Sequence, residues 1–202
     1  MMPGMMSFEE KCVKEGYRII AGVDEAGRGS FAGPLTAAAV ILYLNKKLPV
    51  KIDDSKKLRD KERRSAFSYI LSEARACSVG VVDQETVDRE GVGNAVKKAM
   101  WQAVNSLSIT PDMLLVDAVT IEGTKIPQKA LIKGDALSVS IAAASIVAKV
   151  FRDKLMAYYH RFYPVYDWQS NKGYGTEKHR WAIKKYGPCF LHRFSFRGVS
   201  ID

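Results

Sequence analysis

The chain has 202 residues, of which 47% are hydrophobic and 26% are charged, and its formal net charge is +9. Its length suits one well-packed globular domain, and no apolar stretch is long enough to predict a transmembrane helix. The three cysteines are widely spaced and the N-terminus has no basic segment followed by an apolar one, so we expect free thiols, no signal peptide and a cytoplasmic location.

Apolar runs near the N-terminus predict two strands and then a helix. Residues 17–25 and 35–42 are typical of strands buried on both faces, with a Gly-Pro turn signal between them. A helix is predicted to open at the capping residues Asp54 and Ser55 and to run to about residue 76.

The rest of the chain predicts three more strands and three more helices. The strands are expected at residues 78–83, 112–119 and 129–135, and the helices at residues 91–107, 138–162 and 176–187. The small residues at 142–145 allow the long helix to pack closely on a sheet, and Thr176 and Gly187 are typical of the two ends of the last helix. This order predicts a layered α/β domain with a mixed sheet whose first strands form a meander.

The C-terminal part of the chain is both basic and aromatic. Residues 149–202 carry 11 Lys or Arg against 4 Asp or Glu, and 13 of the 20 aromatic residues. Such interleaving suits a nucleic-acid surface, although a solvated basic face over an aromatic core is an equally favoured alternative. The histidines at positions 160, 179 and 192 have no spacing typical of a zinc site.

Acidic residues follow four of the apolar runs. They are Asp24 with Glu25, Asp83, Asp117 and Asp135. Groups at strand ends converge on one crevice in α/β sheets, and carboxylates gathered there raise each other's pKa or require a cation such as Mg²⁺ or Mn²⁺. The alternative role is a helix cap, which is favoured for Asp83, equally open for Asp135 and less suited to Asp117.

The segment "DEAGRG" can bring two adjacent acids to one ion. Side chains alternate along a strand, so Asp24 and Glu25 can meet only if the strand ends or bulges there. Gly27 and Gly29 supply that freedom and leave backbone N–H groups accessible to an anionic or hydroxyl ligand, beside the charge of Arg28.

Five blocks together resemble bacterial ribonuclease HII. They are "AGVDEAGRGSFAGPLTAAAVIL", "DDSKKL", "LLVDAV", "KGDALSVSIAAASIVAKVFRDKLM" and "SNKGYGTEKHRWAIKKYGPC…HRFSFRG", in family order over residues 18–199. The resemblance implies a ribonuclease H-like fold, a mixed five-stranded sheet flanked by helices with a C-terminal helical extension. It implies one catalytic domain over residues 1–202, with a lead-in of about 17 residues and a substrate-contacting part from about residue 160.

The resemblance also implies an activity. It is that of a metal-dependent endonuclease that cuts the RNA strand of RNA–DNA hybrids and incises 5′ of single ribonucleotides in duplex DNA, leaving 3′-hydroxyl and 5′-phosphate ends. The cofactor would be Mn²⁺ or Mg²⁺, with two ions during catalysis, and the protein would be a cytoplasmic monomer. The alternatives are another nuclease of this fold without ribonucleotide selectivity and a non-catalytic nucleic-acid-binding module.

By position, the family's functional residues map onto this sequence as follows. The metal-binding and catalytic carboxylates would be Asp24, Glu25, Asp117 and Asp135. The substrate-binding residues would be Gly27, Arg28 and Gly29, whose backbone reads the 2′-hydroxyl; Tyr174, which stacks on the next deoxyribose; and Ser55 and Lys56, which contact phosphate. Asp153 would play a supporting role, whereas Ser30, Phe31 and Ala118 depart from the commonest family pattern.

Overall fold

A five-stranded sheet forms the centre of the protein. In the computed structural model, which describes residues 5–44, 52, 55 and 58–199, the strands lie in the order β3-β2-β1-β4-β5. Their bounds are β1 Ile20–Ala26, β2 Leu35–Ile41, β3 Ala76–Val82, β4 Met113–Asp117 and β5 Gln128–Leu131. The first three form an antiparallel meander, and β1, β4 and β5 run parallel, which confirms the predicted mixed sheet.

Seven α-helices are described around the sheet. Their bounds are α1 Ser7–Lys14, α2 Asp60–Glu73, α3 Gln84–Glu90, α4 Val92–Asn105, α5 Val139–His160, α6 Trp168–Asn171 and α7 Glu177–Tyr186. Short 3₁₀ turns cover Gly134–Ala136 and Pro164–Tyr166. Among the described residues, no helix combines the length and the apolarity needed to cross a bilayer.

Each face of the sheet packs against helices. On one face, α5 and α2 build an apolar core with β2, and on the other face α4 packs against β3, β2 and β1. The axis of α5 passes so close to β1 that a Cβ added to Gly22 would overlap the backbone of Ser140. The run of alanines in α5 is fully buried, as predicted from its small side chains. This contact holds α5 directly against β1.

The predicted capping roles of Asp83 and Thr176 are correct, whereas that of Ser55 is wrong. Asp83 accepts a hydrogen bond from Thr86 N at 2.7 Å and caps α3, and Thr176 accepts one from His179 N at 3.3 Å and caps α7. In contrast, α2 begins at Asp60, five residues after Ser55, which lies in a turn. The Glu62 carboxylate accepts from the Arg59 N–H at 2.9 Å and satisfies the helix start there. Asp54 lies outside the described residues.

The segment after β4 also differs from the prediction. The strand predicted over residues 129–135 ends at Leu131, and Asp135 lies in the 3₁₀ turn that leads into α5. Ser138 rather than Asp135 caps α5, since its side chain accepts from Ile141 N at 3.2 Å. The capping role that was open for Asp135 is therefore wrong.

Candidate active site

Three carboxylates meet at one edge of the sheet. Asp24 and Glu25 lie near the end of β1, and Asp117 is the last residue of β4. These strands are parallel neighbours with Val23 beside Val116, so their carboxyl ends share an edge. One carboxylate oxygen from each acid lies within 4.8 Å of the others. The strand-end pattern thus translates into a compact set of oxygen ligands.

The cluster holds its negative charges at an electrostatic cost. Burial, reinforced by the charges of Glu25 and Asp117, raises the pKa of Asp24 well above its ordinary value. Burial and the Asp117 carboxylate likewise raise the pKa of Glu25, and Arg28 opposes that shift. The Glu25 N–H donates to Asp24 Oδ1 at 2.7 Å and orients that carboxylate. Because the donors are all carboxylate oxygens, the set fits a hard divalent cation such as Mg²⁺ or Mn²⁺.

Asp135 faces the same space from farther away. It lines the cleft next to the carboxylate cluster, and its charge contributes to the raised pKa of Asp24. The turn that carries it is attached to the cluster, because Gly134 N donates to Asp117 Oδ1 at 2.7 Å. Asp135 is therefore placed as an outer acid of the site rather than as a member of the three-residue group.

A cleft of about 520 Å³ opens over these acids. Its lining contains every described residue that the sequence assigned to the site, together with three that it did not. The lining residues are Asp24, Glu25, Ala26, Gly27, Arg28, Gly29, Ser55, Asp117, Asp135, Ser145, Lys149 and Tyr174. Lys56 lies outside the described residues.

The glycine turn, residues 27–29, forms one wall of the cleft. Gly27 has φ +90°, a conformation that L-residues rarely adopt. A Cβ at this position would come within 2.7 Å of the Arg152 Cζ atom, closer than real Cβ atoms approach other groups. A Cβ at Gly29 would meet nothing within 4 Å. The first glycine is therefore required by the fold, and the backbone of the second is open to a ligand.

The tyrosine loop, residues 172–176, forms a second wall, to which it contributes Tyr174. The ring of Tyr174 is partly exposed, with Lys149 Nζ 5.6 Å and Arg152 Cζ 5.5 Å from its centroid. The Tyr174 carbonyl lies 2.9 Å from His179 Nδ1, and His179 Nε2 lies 3.1 Å from His192 Nε2. Burial lowers the pKa of both histidines, to about 4 for His192, so both are neutral at pH 7 and serve as structural hydrogen-bonding groups.

Comparison with known proteins identifies the family. The sequence model of the family described as ribonuclease HII matches residues 21–199. Ribonuclease HII of Syntrophus aciditrophicus is 50% identical over 196 residues, which cover 97% of this chain and 92% of that protein. The chain belongs to the ribonuclease HII family.

Solved structures share the fold of this family. The ribonuclease HII of Archaeoglobus fulgidus, solved in complex with PCNA, superimposes with a TM-score of 0.78 at 24% identity and covers 89% of this chain and 96% of that one. Bst-ribonuclease HIII in complex with Mn²⁺ gives a TM-score of 0.70 at 19% identity, over 90% of this chain and 68% of that one. The ribonuclease HII family is one of endoribonucleases, so the chain is a hydrolase of this class, and its membership supports ribonuclease H activity on RNA–DNA hybrids.

The departures from the commonest ribonuclease HII pattern have distinct surroundings. Ala118 has φ +56°, where an L-residue costs roughly 1–2 kcal/mol and glycine does not. Ser30 is fully buried. Phe31 connects the two walls, because its N–H donates to Gly173 O at 2.8 Å and its ring packs where a Cβ at Gly175 would lie. None of these residues supplies a carboxylate, and Phe31 and Ala118 act through the backbone around the site.

Ser145 and Lys149 in α5 are the polar cleft residues that sequence reasoning missed. Ser145 Oγ donates to Ser55 Oγ at 2.7 Å, and Lys149 Nζ lies 2.7 Å from Asp153 Oδ1. The spacing of Ser145, Lys149 and Asp153 by four residues places three polar groups on one face of α5. That spacing was the available signal, and it makes Asp153 the partner of Lys149.

Proposed function

We propose that this protein is a metal-dependent endonuclease that cuts the RNA strand of RNA–DNA hybrids and incises 5′ of single ribonucleotides embedded in duplex DNA. The ends would be a 3′-hydroxyl and a 5′-phosphate. One observation carries the proposal: the carboxylate cluster, the glycine turn and Tyr174 line a single cleft. The acids of the proposed hydrolytic centre and the two groups proposed to recognise a sugar therefore face the same cleft.

The catalytic and metal-binding residues proposed are Asp24, Glu25, Asp117 and Asp135. The mutual repulsion that raises the pKa of Asp24 and Glu25 supports cation binding, because a divalent cation relieves it. Two Mg²⁺ or Mn²⁺ ions would supply an activated water and neutralise the charge that develops on the phosphate. The Mn²⁺ complex of Bst-ribonuclease HIII, which shares this fold, agrees with the choice of metal.

The chain's own groups would bind and orient the substrate. The backbone N–H groups of the glycine turn are proposed to contact the ribose 2′-hydroxyl, and Tyr174 to stack on the deoxyribose that follows. Arg28 and Lys149 offer charges to the flanking phosphates, and Ser55, next to Lys56 in sequence, offers a hydroxyl. Holding the scissile phosphate at the carboxylates in this way supplies most of the orientation that hydrolysis needs.

The experiment that tests the proposal uses a DNA duplex with one ribonucleotide. The 5′-labelled duplex is incubated with the protein and Mg²⁺, Mn²⁺ or EDTA, and the cut is mapped at nucleotide resolution. We expect a single metal-dependent cut on the 5′ side of the ribonucleotide and no cut in an all-DNA duplex. Asp24→Asn is expected to abolish cleavage, whereas Asp83→Asn, which changes a strand-end acid that caps α3, retains it.

The other results would replace the proposal with an alternative. Equal cutting of the all-DNA duplex would indicate a nuclease of this fold without ribonucleotide selectivity. Binding without cleavage in either metal would indicate a nucleic-acid-binding module. A cut on the 3′ side of the ribonucleotide would contradict the assigned position of the scissile phosphate.

We propose that residues 1–202 act as one catalytic domain and that the part from about residue 160 contacts the duplex. The basic and aromatic composition of that part and the place of Tyr174 in the cleft support this role. We further propose a cytoplasmic monomer that acts in ribonucleotide excision repair. Light scattering of the protein with and without duplex measures the stoichiometry.

A further inference from the structure

Two arginines from distant parts of the chain are buried beneath the glycine turn. Arg152 lies in α5 and Arg193 lies in the C-terminal segment after α7, and the side chains of both are fully buried. A buried guanidinium must have its N–H donors satisfied, since an unpaired buried charge is very costly. Within the described chain, the hydrogen bonds of both side chains go to main-chain carbonyl oxygens.

The Arg193 side chain donates hydrogen bonds to carbonyl groups of the glycine turn. Its Nη1 donates to Gly27 O at 2.8 Å and to Arg28 O at 3.0 Å. Its Nε and Nη2 donate to Gly33 O at 3.1 Å and 2.9 Å. Its own N–H donates to Phe31 O at 2.8 Å, which holds the segment in place. One planar side chain therefore fixes peptide groups at both ends of residues 27–33.

The direction of these carbonyls sets the direction of the neighbouring amides. In a planar trans peptide, the C=O and the following N–H point to opposite sides. The Gly27 and Arg28 carbonyls point toward Arg193, to which they are hydrogen-bonded. The N–H groups of the same two peptides, those of Arg28 and Gly29, therefore point away from Arg193. Both residues line the cleft, so these N–H groups are presented on the side from which a substrate arrives.

Arg152 supports the turn from beneath and joins it to the tyrosine loop. It donates to Pro34 O and Ala32 O at 3.0 Å and to Lys172 O at 2.8 Å. Its guanidinium also lies 5.5 Å from the Tyr174 ring. The two walls of the cleft thus share one buried support, against which Arg193 can hold the turn in a single conformation.

We propose that Arg193 is a positioning residue that aims the Arg28 and Gly29 N–H groups at the ribose and thereby sets the preference for a ribonucleotide. This inference rests on the proposed function. Arg193 lies behind the cleft, and the inference gives it a role in substrate selectivity. This role is distinct from the positive charge that Arg193 adds to the basic C-terminal segment.

The test compares binding preference rather than activity. Arg193→Lys keeps the charge but loses the planar fork, and Arg193→Met removes both. Arg197→Met alters an exposed arginine of the same segment as a control. Fluorescence anisotropy without divalent metal measures affinity for a duplex with one ribonucleotide and for the same all-DNA duplex. We expect the ratio of the two affinities to fall roughly tenfold in both Arg193 variants, which is the factor for one lost hydrogen bond between a neutral amide and a hydroxyl, and to stay unchanged in Arg197→Met.

The outcomes separate this inference from the proposed function. If the wild-type protein shows no preference for the ribonucleotide duplex, the proposed function fails. If the wild type has the preference and a folded Arg193→Lys variant retains it, the positioning role is wrong and Arg193 only stabilises the fold.

A second measurement needs only the wild-type protein and so does not depend on the folding of any variant. Hydrogen exchange at the Arg28 and Gly29 amides is expected to slow on adding the ribonucleotide duplex and not on adding the all-DNA duplex. Equal protection by both duplexes would overturn the inference.

Discussion

Replacing Gly27 with alanine tests whether the glycine turn is held by the buried arginines beneath it. The new Cβ would lie within 2.7 Å of Arg152 Cζ and closer still to Nε, so the guanidinium has to move. Arg152 is fully buried and donates to three carbonyls at 2.8–3.0 Å, so it has no free space into which it can move without breaking a hydrogen bond. The alanine must also adopt the φ of +90° that the glycine has.

The cost of this substitution follows from these two effects. An L-residue in a left-handed conformation costs roughly 1–2 kcal/mol. Loss of one hydrogen bond from a charged donor adds about 1.5–3 kcal/mol. We therefore expect Gly27→Ala to lower the free energy of unfolding by about 2.5–5 kcal/mol and the Tm by roughly 10 °C for a chain of this length.

Gly29→Ala is the matched control within the same motif. Its Cβ would meet nothing within 4 Å, so we expect a Tm close to that of the wild type. Because Gly29 borders the cleft, this variant should still cleave a ribonucleotide-containing duplex more slowly. Denaturant and thermal unfolding measure the first property and initial rates the second. Equal Tm values for Gly27→Ala and Gly29→Ala would refute the assignment of Arg152 as the obstacle.

Three further predictions concern the acids, the ring and the charges of the cleft. In EDTA, Asp24→Asn should raise the Tm, because the buried carboxylate has a raised pKa and its ionised form destabilises the folded state. The gain in Tm should be largest at alkaline pH and should disappear as the pH falls below 3.8, the ordinary pKa of an aspartate. A gain in Tm that does not depend on pH would contradict this cause. Tyr174→Ala should lower kcat/KM by roughly tenfold to a hundredfold through lost stacking, whereas Tyr174→Phe retains most of it, and equal losses in steady-state assays would assign the effect to the hydroxyl. Lys149→Met should reduce the slope of log K against log salt by about 0.9, whereas Lys97→Met, in α4 on the opposite face of the sheet, leaves the slope unchanged.

The sequence by itself determined the layered fold and predicted most of the residues that line the candidate site. Strand and helix periods are local properties, so β1, β2 and α5 were predicted close to their observed bounds. The rule that strand ends converge brought Asp24, Glu25 and Asp117 to one place before any contact was known. The glycines of "DEAGRG" indicated an accessible backbone, the family resemblance added Tyr174, which periodicity alone does not mark, and both features line the cleft.

Tertiary structure decided what each of these groups contacts. Whether Asp135 caps a helix or faces the acids depended on where α5 begins, which Ser138 sets. The sequence could not predict the roles of Arg152 and Arg193, because their partners are main-chain carbonyls up to 166 residues away. Every residue has such a carbonyl, so no residue type in the sequence marks the partner. A sequence therefore records which side chains can do chemistry, whereas only the folded chain shows which backbone groups they hold in place.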